Sequence, residues 1–177
     1  MKRRTLVILA CALAAANTVA SAADLKPLSV NESIDIKAPL DKVWAASKDF
    51  DSLNKWHPGF AKDELKKGHN NAKGAVRALT IKDGPTFTEE LLNFSESGHT
   101  YQYRIIESPL PLAGYVATFT VKPGKDPGSS HVTWSAKFTR KNPAQNPPAG
   151  ETDADAVKLI TGVFQAGLAN LKKMTEG

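Results

Sequence analysis

The sequence predicts an α+β fold: a curved antiparallel sheet of about seven strands around one long C-terminal helix, with two short helices after the first strand. Three observations carry that prediction. From Lys62 to Phe138, apolar-alternating runs follow one another, each closed by Gly, Pro, Asn or Asp, as in an antiparallel meander. The chain then ends on an apolar stripe at i, i+3, i+4 and i+7. A stripe that long needs an apolar partner, and the concave face of a curved meander supplies one.

The first segment has the three parts of a secretory signal. Lys2, Arg3 and Arg4 are basic, Thr5 to Ala16 is almost wholly apolar, and Ala20-Ser21-Ala22 has small side chains for a peptidase. The apolar run, about 12 residues, falls short of the roughly 20 that span a bilayer, so no stable membrane anchor is expected. Cys11 lies too close to Arg4 for lipoprotein processing and reads as part of the apolar run. Cleavage near Ala22/Ala23 would deliver residues 23–177 to the periplasm as a single domain. About 155 residues are enough for one core, burying roughly 70% of the unfolded surface.

Cleavage also changes the charge. Three of the 23 Lys and Arg residues and none of the 18 acids lie in the leader, so the remainder carries only +2 and has no cysteine. No dense basic stripe is left for nucleic acid. Lys66-Lys67, Arg140-Lys141 and Lys172-Lys173 read as solvated surface pairs.

Leu28, Val30, Ile34 and Ile36 share one parity and predict the first strand. Pro39 suits the first turn of a helix over Leu40 to Ser47, and a second short helix is expected over Phe50 to Asn54. Strands follow at 62–67, 75–81, 87–94, 101–106, 115–121 and 132–138. Lys141 to Gly150 is a Pro- and Asn-rich loop. Ala156, Val157, Ile160, Val163, Phe164, Gly167, Leu168 and Leu171 then form the closing stripe, with Thr152 or Asp153 as its cap. Such a helix is about 30 Å long, enough to cross a sheet, and leaves room for a cavity beneath it.

In order and spacing these residues resemble a known family. Ile36-Lys37-Ala38-Pro39-Leu40-Asp41-Lys42-Val43-Trp44, then Phe50 and Trp56, are similar to the opening of the START-like superfamily and of its polyketide cyclase/dehydrase (SRPBCC) branch. Gly74 to Arg77, Asp83-Gly84, Glu89-Glu90-Leu91, Tyr101-Gln102-Tyr103, Pro109-Leu110-Pro111, Gly167-Leu168 and Leu171-Lys172 continue the likeness over nearly all of residues 28–174. The resemblance implies a helix-grip fold with an apolar pocket, and fold alone does not set function. Plant abscisic-acid receptors show a similar order of motifs. By that likeness Lys62 falls where a pocket lysine meets the ligand carboxylate, Glu89 lines the pocket, and Asp83-Gly84-Pro85 stands at a gating turn. That turn departs from the receptor gate, so hormone binding does not carry over.

Export narrows the likeness. Among exported relatives the chain resembles the MxaD-type accessory proteins of periplasmic methanol oxidation. This implies a non-catalytic helper of methanol dehydrogenase and its cytochrome c, working without a cofactor. The other readings are a cyclase/dehydratase-type enzyme and a carrier of a small apolar ligand.

The residues themselves mark a candidate pocket. Arg77 shares parity with Ala75, Leu79 and Ile81, and a cation brought inside needs a carboxylate, for which Glu89 is placed by its parity with Phe87 and Leu91. The pair reads either as a ligand anchor or proton-transfer pair, or as a strand-to-strand salt bridge. Tyr101, Tyr103, Tyr115, Trp134 and Phe164 are aromatic candidates for the pocket or the core. Trp56 and His57, at a chain break, are candidates for the mouth, with His57 a possible general base. Pro109, Leu110 and Pro111 form an apolar hairpin tip that reads as a gate, a partner contact or a rigid turn. His57, His69, His99 and His131 lack paired spacing, with His69 and His99 in turns and His131 before the last strand, so no metal site is expected.

Overall fold

The computed structural model describes residues 25–177; the expected signal segment lies outside them. Seven strands are laid down as β1 (Leu28–Ile36), β2 (Phe60–Lys67), β3 (Val76–Ile81), β4 (Thr86–Ser95), β5 (Thr100–Glu107), β6 (Leu112–Pro123) and β7 (Ser130–Arg140). They form one antiparallel sheet in the order β1-β7-β6-β5-β4-β3-β2. Only β1 is displaced from its sequence neighbour, because α1 (Leu40–Ser47) and α2 (Leu53–Trp56) carry the chain from one edge to the other. The helix-grip α+β architecture is as the sequence predicts, a long helix α3 (Asp153–Glu176) lying against the sheet.

Alternation decides which face is which. Along β7, Ser130, Val132, Trp134, Ala136, Phe138 and Arg140 are buried while their neighbours are half-buried or exposed. Bulges then bend the sheet around the helix. Register shifts interrupt β2–β3, β4–β5 and β6–β7, the last at Gly114, whose positive φ of 61° an L side chain rarely adopts.

Helix α3 turns Ala156, Ile160, Phe164, Gly167, Leu168 and Leu171 inward. Each large apolar side chain so buried contributes about 1.5–3 kcal/mol. Its start is a capping box: Thr152 Oγ1 accepts from Asp155 N at 3.1 Å, and Asp155 Oδ2 accepts from Thr152 N at 3.2 Å.

Three expectations shift. The second helix starts at Leu53 rather than Phe50, since Phe50 N and Asp51 N donate to the side chains of Asn71 and Asn70. His131 lies inside β7, opposite Asp35, with Nδ1 2.6 Å from the Asp35 carboxylate. Arg140 is not a surface charge: it is buried, donating to Asn142 O and Ala144 O and to Asp153 Oδ1, each at 2.8 Å. It ties the 141–150 loop to the start of α3.

Candidate functional site

Between α3 and the concave face of the sheet lies a cavity of about 170 Å³. An engineered apolar void of about 150 Å³ holds benzene, so this space fits one aromatic ring with a short tail. Its floor is Tyr103, Tyr115 and Trp134, and its roof is Leu159, Ile160 and Val163 of α3. Phe60, Ile81, Phe87, Ile105 and Leu110 close the sides, together with Leu53 and Gly59. The polar residues at its wall are His57, Glu89 and the two tyrosines.

Behind Glu89 stands Arg77, directly opposite it in the β3–β4 register. The Nε and NH2 groups of Arg77 donate to the same oxygen, Glu89 Oε2, at 2.9 and 2.6 Å. The remaining donor, NH1, reaches Phe50 O and, at 3.3 Å, Asp63 Oδ2. Asp63 Oδ2 also accepts Leu53 N at 2.8 Å, while its Oδ1 is buried without a partner. The guanidinium carbon lies 4.1 Å from the centre of the Phe50 ring and 5.3 Å from that of Tyr103. Arg77 is thus enclosed on every side, and one cation serves two buried carboxylates.

That arrangement sets the protonation states. Burial raises the Glu89 carboxyl above the usual range, against the opposing pull of Arg77. Burial raises Asp63 likewise. For Arg77, burial works against the charge, and Glu89 with Asp63 overcomes it, so the guanidinium stays charged. Burial lifts Tyr101, Tyr103 and Tyr115 well above the ordinary phenol value, so all three stay protonated.

His57 is held by backbone at both ring nitrogens. Nδ1 accepts Gly59 N–H at 3.0 Å, and Nε2 lies 2.8 Å from Val163 O. A carbonyl can only accept, so Nε2 carries the proton. Burial depresses the His57 pKa, consistent with a neutral ring. No lone pair remains for a general base; the residue is a clamp joining the α2–β2 connection to α3.

The structure sorts the remaining candidates. Tyr103, Tyr115, Trp134, Glu89 and His57 reach the cavity, and Arg77 stands behind Glu89 rather than at the wall. Lys62 does not reach it: its side chain points to solvent beside Glu64, 3.5 Å away, because inward parity on β2 belongs to Asp63 and Leu65. Trp56 is core, packed on Phe119 and Trp134 at centroid distances of 5.6 and 5.4 Å. Phe164 stacks on the far side of Trp134, at 4.3 Å and 14°, and Tyr101 stacks on Phe119 with its hydroxyl toward Ser47 O. Asp83, Gly84 and Pro85 form the β3–β4 turn without touching the cavity, which their flanking residues Ile81 and Phe87 do. At the β5–β6 tip only Leu110 reaches inside; Pro109 and Pro111 face outer depressions. Among the described residues, no three His, Cys, Asp or Glu side chains converge as a metal site needs.

Asp63 is the residue that sequence reading missed. Its signal was present: it shares parity with Leu65, between the outward Lys62 and Glu64. A carboxylate on the apolar parity of a strand calls for a buried cation.

A model of the polyketide cyclase/dehydrase and lipid transport family matches residues 27–176. An abscisic acid receptor of Arabidopsis thaliana is 26% identical over 144 residues, covering 80% of this chain and 75% of the receptor. The protein XoxI of Bacillus cereus superposes with a TM-score of 0.72 at 30% identity, covering 83% of this chain and 94% of that one. The Zhui aromatase/cyclase of a Streptomyces species superposes at 0.65 and 18% identity, over 85% and 94%, a likeness of fold alone.

Proposed function

The chain belongs to the polyketide cyclase/dehydrase and lipid transport family, and from that premise we propose that it is a non-catalytic protein that holds a small apolar ligand in the helix-grip cavity. One observation carries the reading: the cavity has an apolar wall with few polar groups, and its one carboxylate, Glu89, is tied to Arg77 with no free base or nucleophile beside it. His57 has both nitrogens engaged, every Arg77 nitrogen donates to a protein acceptor, and the tyrosines stay protonated. The ligand-binding names among its relatives, an abscisic acid receptor in particular, fit the same reading.

Titration with ethylbenzene, followed by the indole N–H resonance of Trp134, tests it. That N–H donates to Tyr103 OH at 2.9 Å on the cavity floor, so an occupant shifts it. A saturable shift supports the reading; an unmoved resonance at ligand saturation in water defeats it. Native mass spectrometry of protein from its own host would identify the bound molecule.

The narrower role, an exported helper of methanol dehydrogenase and its cytochrome c, rests on sequence resemblance. Cell fractionation tests the export, and electron-transfer rates between the two partners with and without this protein test the role. An unchanged rate removes it.

A further inference from the structure

Both bonds from Arg77 land on Glu89 Oε2. No described residue donates to the other oxygen, Oε1, although Glu89 is only 4% exposed and stands in the cavity wall. Oε1 is not sealed in protein: it keeps accessible surface at the cavity wall, where a ligand's donor can reach it. The neighbouring polar groups do not supply a donor. Trp134 N–H is directed to Tyr103 OH, the His57 N–H to Val163 O, and the Arg77 donors to Glu89, Asp63 and Phe50.

The charge around Oε1 has a sign. Among the described residues Arg77 is the one cation in contact with Glu89 and Asp63, so the cluster carries excess negative charge when both carboxyls are ionised. Lys62, which the resemblance placed against a ligand carboxylate, is on the outside of the sheet. An anionic ligand would enter an apolar space against Glu89 with no free cation to answer it. A hydrogen-bond donor would complete Oε1 at little cost.

Resting on the ligand-holding reading above, we propose that the cavity selects ligands that place an uncharged or cationic hydrogen-bond donor, an alcohol, phenol or amine, on Glu89 Oε1, with a body of about one aromatic ring, and that it rejects carboxylates.

Four probes of one size separate the possibilities: 2-phenylethylamine, 2-phenylethanol, ethylbenzene and phenylacetate, titrated into the intact protein by calorimetry at pH 7. The amine and the alcohol should each bind at least tenfold more tightly than phenylacetate, with ethylbenzene between. Phenylacetate binding as well as the amine and the alcohol, or ethylbenzene binding better than both, overturns the proposal while leaving a ligand-holding cavity intact. Failure of all four, ethylbenzene included, sinks the ligand-holding reading itself. In Glu89→Gln the amine-to-phenylacetate ratio should fall towards one, and circular dichroism reports whether that variant folds. If it does not fold, the side-chain carboxyl ¹³C resonance of Glu89 in the unaltered protein decides: the amine must move it, and a bound amine that leaves it still refutes the assignment.

Discussion

Gly167 sits against the His57 ring: a Cβ built there would lie 2.5 Å from His57 Cδ2 and 2.9 Å from Trp134 Cζ3. Neither neighbour can yield. His57 is held by two backbone bonds, and Trp134 is stacked on Phe164.

Gly167→Ala therefore pits a gain in helix propensity of about 1 kcal/mol against overpacking of about 1–3 kcal/mol. The expected net is a loss of up to about 2 kcal/mol, centred near 1, in chemical denaturation. Gly162, five residues earlier on the same helix, has nothing within 4 Å of its added Cβ. Gly162→Ala should gain up to about 1 kcal/mol. Equal signs for the two alanines would refute the close-contact argument.

The His57 ring should stay neutral, protonated on Nε2, through the range where a free histidine titrates. Its folded pKa lies below the ordinary 6.5, chiefly through burial. The unfolded chain therefore takes the proton first. Stability present above about pH 6.5 is lost as pH falls toward the folded pKa, by at most about 1.4 kcal/mol per pH unit. Long-range ¹⁵N–¹H correlation reads the tautomer directly, and a proton on Nδ1 at pH 7 contradicts the clamp.

Arg77 and Glu89 differ in what their loss leaves behind. Arg77→Met strands two buried carboxylates and should cost about 3–5 kcal/mol at pH 7. Glu89→Gln leaves Arg77 with Asp63 and should cost about 1–2 kcal/mol. Glu89 and Asp63 have folded pKa values raised by burial, so the stability they add is present at low pH and lost as pH rises through those values. Removing the cation raises them further, and Arg77→Met should regain stability relative to the unaltered protein between pH 7 and pH 5. Urea unfolding at the two pH values measures both effects.

The fold was legible because each element carries its own period. The α3 stripe from Ala156 to Leu171 shows which helix face is buried, and Trp134 with Phe138 shows the inner face of β7. Parity alone also set Arg77 across from Glu89, since two antiparallel strands joined by a short turn have little freedom of register. What escaped was whatever depends on the third dimension. The clamp on His57 comes from Val163, 106 residues away, and the burial of Arg140 comes from a loop that wraps back onto it. Which aromatics line the cavity and which stand behind it also depends on depth: Trp134 is at the wall and Phe164 one layer further back.

Ile105 and Ile106 are consecutive on β5 and point to opposite faces, Ile105 into the cavity and Ile106 outward at 44% exposure. The same substitution at each separates filling the cavity from merely altering the strand. Ile105→Trp places an indole in the space a ligand would occupy, and ethylbenzene affinity should fall at least tenfold. Ile106→Trp adds the same group to the outer face and should leave that affinity within about twofold, since the ring has no path through the sheet. Calorimetry on the two variants measures the contrast. Comparable affinity in both would mean that the ligand does not reside between β5 and α3, whatever else binds it.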